Sequence, residues 1–365
     1  MPKLTEFQNI TSTITILRKK FCIFALGIVM NKQWHFGIVG FGRIGKRHSQ
    51  EIQAHPNALL TDVFDINADT VPSDFTNHKN IESFLTDTNA EVIHICTPNA
   101  SHYELAKTTL LHKKHVVIEK PITLFTEHAK ELQEIAITQQ KHIFCVMQNR
   151  YSPVSQWLKS IVEDGILGQI YSVHVNCAWN RDDRYYQPEN WHGKLDLDGG
   201  PLYTQFSHFV DLLFWLFGPL KVENQVFFNH NHRKNTEFED SGIFHFQNDQ
   251  LAQGSFHYTT SVFDKNFKSS IEIIAENGTI EVSGQYMNEI QYCHIRNYQL
   301  PELPPSPEPN LYPGYQGSAS NHHFVIQNVI DTLEGISQPD TPISEGISVV
   351  EIIENVYLKR NLNFF

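Results

Sequence analysis

The sequence predicts two domains: an α/β domain with a doubly wound parallel sheet, followed by an α+β domain with a large, mostly antiparallel sheet. Between residues 35 and 148, short apolar runs alternate with segments of helical periodicity. This alternation is typical of a parallel sheet with helices on both faces. After Arg150 the runs instead alternate apolar and polar residues, which is expected of antiparallel strands with only one covered face.

The first domain contains five apolar runs that we predict to be parallel strands. Several are apolar throughout, which favours burial on both faces of the sheet. They cover residues 35–40, 59–65, 91–97, 115–119 and 142–148. The helices predicted between them include residues 44–54, 101–112 and 127–139.

The second domain is predicted to begin with a helix over residues 152–164, which Gly165 ends. Its sheet is expected to have one open face, because the strand over residues 171–179 alternates Val173, Val175 and Cys177 with polar residues. Further strands are expected around residues 222–228, 241–246, 251–259, 269–275, 278–283 and 290–295. A proline-rich loop is expected over 301–317, followed by helices over residues 321–334 and 345–358.

A chain of 365 residues is too long for one ordinary core. We place the first domain at residues 30–150, the second at 151–345, and a C-terminal helix that packs back on the first domain at 346–365. Residues 1–29 are expected to lie outside the fold. They contain an apolar run, 21–30, that lacks a signal cleavage pattern and is too short to span a bilayer. We therefore expect translation to begin at Met30 and the protein to be cytoplasmic, without membrane contact; a hydrophobic anchor is the alternative.

The composition excludes some partners. A net charge of -12 argues against nucleic acid, although a local basic pocket could still take an anionic small molecule. Five scattered cysteines without a C-x-x-C motif favour free thiols. His230 and His232 form an H-x-H pair without a third ligand nearby in sequence, so we predict no metal site.

A glycine motif lies between the first predicted strand and the first helix. Its residues are Gly40, Phe41, Gly42, Arg43, Ile44 and Gly45, a G-x-G-x-x-G. In a Rossmann domain these glycines allow a tight turn, close approach to a pyrophosphate and close helix packing. Asp65 ends the second strand at the distance where a carboxylate binds the adenosine ribose, which favours NAD over NADP. A glycine-rich turn with an unrelated surface aspartate is the alternative.

Two side chains carry the candidate chemistry. Lys120 follows the fourth strand in Glu119-Lys120-Pro121, at the sheet edge where α/β proteins bind ligands. His208 is predicted on a helix starting near Tyr203, with Thr204 and Asp211 one turn away on the same polar face. A histidine held by a carboxylate is a good proton acceptor. The alternatives are a solvated surface lysine and a solvated helix histidine.

These motifs together resemble the Gfo/Idh/MocA family, the glucose–fructose oxidoreductase and inositol dehydrogenase group. The resemblance covers roughly residues 35–220 and follows the family's order. Its remaining motifs are Thr97-Pro98-Asn99 with His102, Gln148-Asn149-Arg150-Tyr151, and Gly199-Gly200 followed by His208 and Asp211. The resemblance implies an NAD-dependent oxidoreductase, in which Lys120 hydrogen-bonds the reacting hydroxyl and His208 takes its proton.

The resemblance also implies the lining of the site. Thr97, Pro98, Asn99, His102, Glu119, Gln148 and Asn149 would line the cofactor. Arg150 and Tyr151 would lie near the substrate, and Trp191 near the nicotinamide or sugar, with a core tryptophan as the alternative. Tyr312 and Tyr315 are candidate sugar contacts, although tyrosines that pack a loop are commoner.

Thr204 departs from the family pattern, because many members carry an aspartate there. A threonine cannot supply that charge, so it would only orient the substrate. With an uncharged residue at this position, the sequence resembles the branch of the family that acts on nucleotide sugars in surface-polysaccharide pathways. We therefore expect a dehydrogenase of a sugar or nucleotide sugar that forms a homodimer or homotetramer. The alternatives are a glycoside hydrolase or epimerase that uses NAD transiently, and a regulator that senses NAD without turnover.

Overall fold

The computed structural model describes residues 32–360 apart from 77, 250, 313 and 314. The prediction for residues 1–29 therefore falls outside the described residues. The first sheet has five parallel strands in the order β2-β1-β3-β4-β5. They are β1 (Trp34–Val39), β2 (Ala58–Phe64), β3 (Val92–Ile95), β4 (His115–Ile118) and β5 (Ile143–Cys145). All four residues of β3 are buried, as predicted for a strand covered on both faces.

Four helices connect these strands. They are α1 (Arg43–Ala54), α2 (Ile81–Asp87), α3 (His102–Leu111) and α4 (Thr126–Gln139). The sequence predicted three of them and missed α2. That helix has seven residues and buries only Phe84 and Leu85, which is too short for a clear helical period.

The second sheet has seven strands in the order β12-β11-β10-β6-β9-β8-β7. Neighbouring strands are antiparallel except for β6 and β9, which run parallel. The strands are β6 (Ile170–Ala178), β7 (Lys221–Phe228), β8 (Ser241–Gln247), β9 (Leu251–Thr259), β10 (Lys268–Ala275), β11 (Gly278–Ser283) and β12 (Glu289–Ile295). The predicted fold class, a parallel α/β domain followed by a mostly antiparallel α+β domain, is confirmed.

One face of this second sheet packs against helices. Val173 and Val175 of β6 and Ile273 of β10 belong to the same buried cluster as the apolar residues of α5 (Pro153–Glu163) and α8 (Ser207–Phe217). Ile274, the neighbour of Ile273 in β10, is 43% exposed, and Val226 of β7 is 51% exposed. The second face of the sheet is therefore open in the single chain.

The segment after the second sheet is more ordered than the sequence indicated. Residues 301–317 were expected to be a loop, but β13 (Pro309–Tyr312) and β14 (Tyr315–Ala319) form an antiparallel hairpin. Tertiary contacts explain the difference, because the guanidinium of Arg47 in α1 donates hydrogen bonds to Asn310 and Ser320. The chain then forms α9 (His322–Leu333) and α10 (Ile343–Tyr357). The carboxylate of Glu354 in α10 accepts a hydrogen bond from Thr126 at the start of α4.

Candidate active site

The glycine turn joins β1 to α1. Gly40 has a φ of +89°, and a Cβ there would lie 2.7 Å from the carbonyl oxygen of Cys96. A Cβ on Gly45 would lie 2.0 Å from the carbonyl oxygen of Gly40, so α1 packs directly on the turn. No described atom lies within 4 Å of the Cβ position of Gly42. The turn is therefore closed at two glycines and open at the third, where the backbone N–H groups of a helix N-terminus can bind phosphate.

Asp65 connects the second strand to this turn. Its carboxylate accepts hydrogen bonds from the backbone N–H of Phe41 at 2.7 Å and of Asn67 at 2.8 Å. A cleft of about 600 Å³ opens beside it, lined by Phe64, Asp65, Ile66, Ala68, His78, Lys79, Asn80, Ile81 and Leu105. Of the other two residues of the motif, Arg43 places its guanidinium 5.4 Å from the ring centre of Tyr315, and Ile44 packs on the core beneath the turn.

Lys120 and His208 come from different domains and are linked through Thr204, because Nζ of Lys120 donates a hydrogen bond to the carbonyl oxygen of Thr204, four residues before His208. Burial lowers the pKa of Lys120, and the carboxylate of Glu119 is the largest influence that opposes this. Burial also lowers the pKa of His208 well below its usual value, and the positive charge of Lys120 lowers it further. His208 is therefore a neutral imidazole at neutral pH. Its Nε2 lies 3.3 Å from Nε2 of Gln148.

Thr204 holds Lys120 through its backbone and other groups through its side chain. Nζ of Lys120 donates a hydrogen bond to the carbonyl oxygen of Thr204 at 2.7 Å. The hydroxyl of Thr204 accepts a hydrogen bond from Nδ2 of Asn99 at 2.8 Å and donates one to the carboxylate of Asp198. Asp198 is itself 1% exposed. Thr204 thus connects Asn99, Lys120 and Asp198 in one hydrogen-bond network.

The predicted pairing of His208 with Asp211 is wrong. The chain around His208 forms the short helices α6 (Leu195–Asp198) and α7 (Pro201–Thr204) and then α8. Gln205 and Phe206 separate α7 from α8, so the single helix expected from Tyr203 onwards is not present. Asp211 is buried and receives hydrogen bonds from Nε and Nη2 of Arg150 at 2.8 and 2.5 Å. His208 and the residues beside it in α8 are buried, so the alternative of a solvated helix histidine is wrong. The sequence showed that a carboxylate was near His208 but not the arginine that binds it.

Several predicted lining residues hold the backbone of the site together. His102 bridges the carbonyl oxygens of Pro121, at 2.7 Å, and Thr97, at 2.9 Å, and Pro98 precedes the short 3-10 turn that leads into α3. Asn149 Oδ1 accepts a hydrogen bond from the hydroxyl of Ser318 at 2.5 Å. These contacts connect the segments that follow β3, β4 and β5 to α3 and β14.

Other residues that were predicted to contact the substrate or the cofactor bind or pack against protein side chains. The guanidinium of Arg150 is bound by Asp211 and Glu345, and Tyr151 donates a hydrogen bond to Asp340 and stacks on Phe324. The half-buried ring of Trp191 packs on His192, with 3.9 Å between ring centres. Tyr312 and Tyr315 pack against each other, with 5.1 Å between ring centres.

Comparison with known proteins decides the family. A family model described as an oxidoreductase family with an NAD-binding Rossmann fold matches residues 34–147, and the GFO/IDH/MocA C-terminal domain matches residues 155–281. The WlbA dehydrogenase of Chromobacterium violaceum, solved with NADH and UDP-GlcNAcA, is 30% identical over 90% of this chain and 93% of its own, with a TM-score of 0.79. The chain belongs to the GFO/IDH/MocA family.

Two further relatives support the assignment. The WlbA dehydrogenase of Bordetella pertussis, also solved with NADH and UDP-GlcNAcA, is 29% identical, covers 89% of this chain and 96% of its own, and has a TM-score of 0.79. An uncharacterised oxidoreductase of Synechocystis is 32% identical over 39% of this chain and 38% of its own length. The chain spans about two fifths of the length of the first curated relatives it matches. Among the described residues, no helix is long and apolar enough to cross a membrane.

In this member of the GFO/IDH/MocA family, sequence reasoning missed Arg181. The residue is 2% exposed, and its guanidinium lies 4.8 Å from the ring centre of Tyr315 and 5.1 Å from that of Tyr185. Burial lowers its pKa, and among the described residues it has no carboxylate partner. Its charge also acts on Lys120. No local pattern distinguishes such an arginine from an exposed one, because its surroundings come from distant strands.

A second missed group is a cluster of imidazoles around Glu119, formed by His48, His94 and His322. Ligand-type atoms of His48, Glu119 and His322 lie within 4.8 Å of one another. Glu119 already accepts a hydrogen bond from His48 at 2.9 Å, and the buried Lys120 is its neighbour. We therefore interpret the cluster as a hydrogen-bonded one and assign it no metal. With twenty histidines in the chain, the sequence alone gave no reason to place these three side chains together.

Proposed function

We propose that the chain is an NAD-dependent dehydrogenase that transfers hydride between nicotinamide and a hydroxyl of a sugar or nucleotide sugar. One observation carries the proposal: at the carboxyl edge of the parallel sheet, where the glycine turn also lies, Nζ of Lys120 is bound by the carbonyl oxygen of Thr204, four residues before His208. The open space at Gly42 suits a dinucleotide pyrophosphate. The cleft beside Asp65 suits its adenosine.

The residues of the site divide the work as follows. The bound nicotinamide supplies the hydride acceptor or donor. One N–H of Lys120 is bound by Thr204, so its other N–H groups can donate to the oxygen of the reacting hydroxyl. His208 is neutral and buried and can accept the hydroxyl proton. Thr204 keeps Lys120 in place and would orient the substrate. General acid–base catalysis of this kind raises the reaction rate about 10²–10⁴-fold.

The substrate class is proposed from the two WlbA dehydrogenases, which were solved with NADH and UDP-GlcNAcA. The charges of the site do not select this class by themselves, because the carboxylates of Glu119 and Asp198 accompany the cations of Lys120 and Arg181. A nucleotide sugar is therefore the first substrate class to test, and the charge of the chain argues against nucleic acid.

We also propose a homodimer or homotetramer that forms through the open face of the second sheet, and activity in the cytoplasm. The exposed Ile274 and Val226 support the first. The free thiols of Cys96, Cys145, Cys177 and Cys293 support a reducing compartment. Cell fractionation with an antibody to the chain tests the location.

The deciding experiment is a substrate screen with variants. Sugars and UDP-sugars are incubated with NAD or NADP, and NADH formation is followed by its absorbance. For the active substrate, Lys120→Ala and His208→Ala should each lower kcat by about 10²–10⁴. His323→Ala is the matched control, since His323 is exposed. Loss of activity in the control, or full activity in both site variants, would contradict the proposal.

The same assay separates the alternatives. A dehydrogenase accumulates one NADH per product. A hydrolase or epimerase with transient redox forms product without net NADH. A regulator binds NADH, measured by calorimetry, but converts none of the substrates.

A further inference from the structure

His192 lies in the segment between β6 and α6, beside the hydrogen-bond network of Thr204. Its Nδ1 lies 3.8 Å from Oδ2 of Asp198. The backbone N–H of the next residue, Gly193, donates a hydrogen bond to the same Oδ2 at 3.0 Å. The other oxygen of Asp198 accepts a hydrogen bond from the hydroxyl of Thr204, whose carbonyl oxygen binds Nζ of Lys120. One carboxylate and one threonine therefore separate His192 from the candidate catalytic lysine.

Two aromatic rings fix the plane of this imidazole. The ring of Tyr185 stacks on it with 4.2 Å between ring centres, and the ring of Trp191 packs against it at 3.9 Å. Tyr185 is itself held in place, because its hydroxyl accepts a hydrogen bond from Nε2 of Gln205 at 3.0 Å. The position of the His192 ring is therefore set by packing.

The same imidazole lacks a hydrogen bond to the protein. Its Nδ1 is enclosed and has no hydrogen-bond partner among the described residues, since 3.8 Å from Asp198 is longer than a hydrogen bond. The side chain is 16% exposed, and because Nδ1 is enclosed, this exposure belongs to the rest of the ring, where Nε2 lies. Buried polar groups normally have partners, so an imidazole in this state indicates a place for a ligand group.

The carboxylate of Asp198 decides which nitrogen carries the proton. Asp198 is 1% exposed, and a carboxylate can only accept hydrogen bonds. The proton of a neutral imidazole is therefore favoured on Nδ1, which faces Asp198. Burial lowers the pKa of His192, and Asp198 is the main influence that opposes this, so the imidazole is neutral at neutral pH. Its accessible nitrogen, Nε2, is then a hydrogen-bond acceptor.

We propose that His192 is a specificity-determining residue, whose Nε2 accepts a hydrogen bond from a hydroxyl of the bound sugar other than the reacting one. The inference rests on the proposed function, because it adds a contact to the site assigned to Lys120 and His208. Those two residues act on the reacting hydroxyl. A separate acceptor for a second hydroxyl would fix which carbon of the ring faces the nicotinamide. Aromatic rings with a few polar groups that fix orientation are typical of small-molecule sites.

The first test measures binding without turnover. The full chain is saturated with NADH and titrated calorimetrically with UDP-GlcNAcA, the sugar of the two WlbA structures. His192→Phe keeps an aromatic ring and removes both nitrogens, whereas His192→Gln keeps an acceptor oxygen. His128→Phe makes the same change at a half-buried histidine of the first domain that stacks on Tyr103.

The dissociation constant should rise about tenfold in His192→Phe, because the sugar hydroxyl loses its partner in a buried site. It should recover most of the way in His192→Gln and stay at the wild-type value in His128→Phe. Wild-type affinity in His192→Phe, or no binding of UDP-GlcNAcA to wild type, would overturn the inference. Titration with NADH alone checks that each variant is folded, and His192→Leu replaces His192→Phe if the latter does not bind NADH.

A second test separates a substrate contact from a purely structural role. Analogues of UDP-GlcNAcA that each lack one ring hydroxyl are titrated into NADH-saturated wild type and His192→Phe. Loss of the hydroxyl that His192 binds should weaken binding to wild type about tenfold and leave binding to His192→Phe nearly unchanged. A structural role would lower the affinity for every analogue by the same factor. That uniform loss would overturn the inference.

The outcome for the proposed function is read independently, from NADH formation in the substrate screen. Sugar binding that depends on His192, without NADH formation from any sugar, would support the inference and contradict the dehydrogenase. NADH formation from UDP-GlcNAcA with the same KM in wild type and His192→Phe would do the reverse, because loss of a contact to a non-reacting hydroxyl should raise KM.

Discussion

At the scale of single residues, Asp65 shows how one side chain connects fold and specificity. Its carboxylate accepts two backbone N–H groups, one of them from Phe41 inside the glycine turn. It is only half-buried, so it can also reach a ribose beside the cleft. The same charge repels a 2′-phosphate.

We therefore expect Asp65→Ser to raise KM for NAD and reduce the preference over NADP, each by about tenfold, the equivalent of about 1.4 kcal/mol. Steady-state kinetics with both cofactors measure the change. Asp69→Ser, an exposed carboxylate in the same segment, is the control. An unchanged NAD/NADP ratio in Asp65→Ser would argue against the ribose role.

The candidate residues of the site were easier to predict from the sequence than the groups that they contact. The position of Lys120 after β4 followed from strand order, and its convergence with His208 stays a prediction from the family resemblance. The ion pair between Asp211 and Arg150 did not, because residues 150 and 211 meet only after the two domains fold. For the same reason nothing in the sequence identified Arg181 or the imidazoles around Glu119.

At the scale of elements, the turn between β1 and α1 contains one glycine that the packing requires and another that we propose for cofactor binding. Gly45 is fixed by packing, since a Cβ there would meet the backbone of Gly40, whereas Gly42 adopts a φ of -71° and faces open space. A side chain at residue 42 is therefore compatible with the fold but would occupy the space that we propose for the pyrophosphate.

Gly42→Ala should keep the wild-type free energy of unfolding and weaken NADH binding at least tenfold, about 1.4 kcal/mol. Gly45→Ala should lower the free energy of unfolding itself, by about 1–3 kcal/mol for an overpacked site. Urea unfolding and calorimetric titration with NADH give the two quantities. Equal binding by Gly42→Ala and wild type would contradict the assignment of the turn to the cofactor.

Element types were predictable wherever the periodic signal was long. Strands β1 to β5 and helices α1, α3 and α4 follow the apolar periodicity closely. The signal failed at the short helix α2 and at the break between α7 and α8. It also failed at the hairpin of β13 and β14, whose order depends on Arg47 in a helix more than 250 residues earlier.

At the scale of the whole molecule, the second sheet has a covered face and an open face. A sheet face with exposed Ile274 and Val226 is costly to leave in water and is typical of an interface. A charged side chain in the middle of such an interface would be buried without a partner. The sequence predicted the open face from alternation within the strands, but alternation alone does not show what covers it.

Ile274→Lys should therefore shift the protein from an oligomer towards a monomer and raise the dissociation constant at least tenfold, about 1.4 kcal/mol. The exposed position of Ile274 predicts that the single chain still folds. Ile137→Lys makes the same chemical change at a 72% exposed position of α4 in the first domain, so it should leave the oligomer intact. Sedimentation velocity over a range of concentrations measures both. A monomeric wild-type protein would contradict the proposed interface. An Ile274→Lys oligomer as stable as wild type would also contradict it, because a lysine in the centre of a buried apolar contact must weaken that contact.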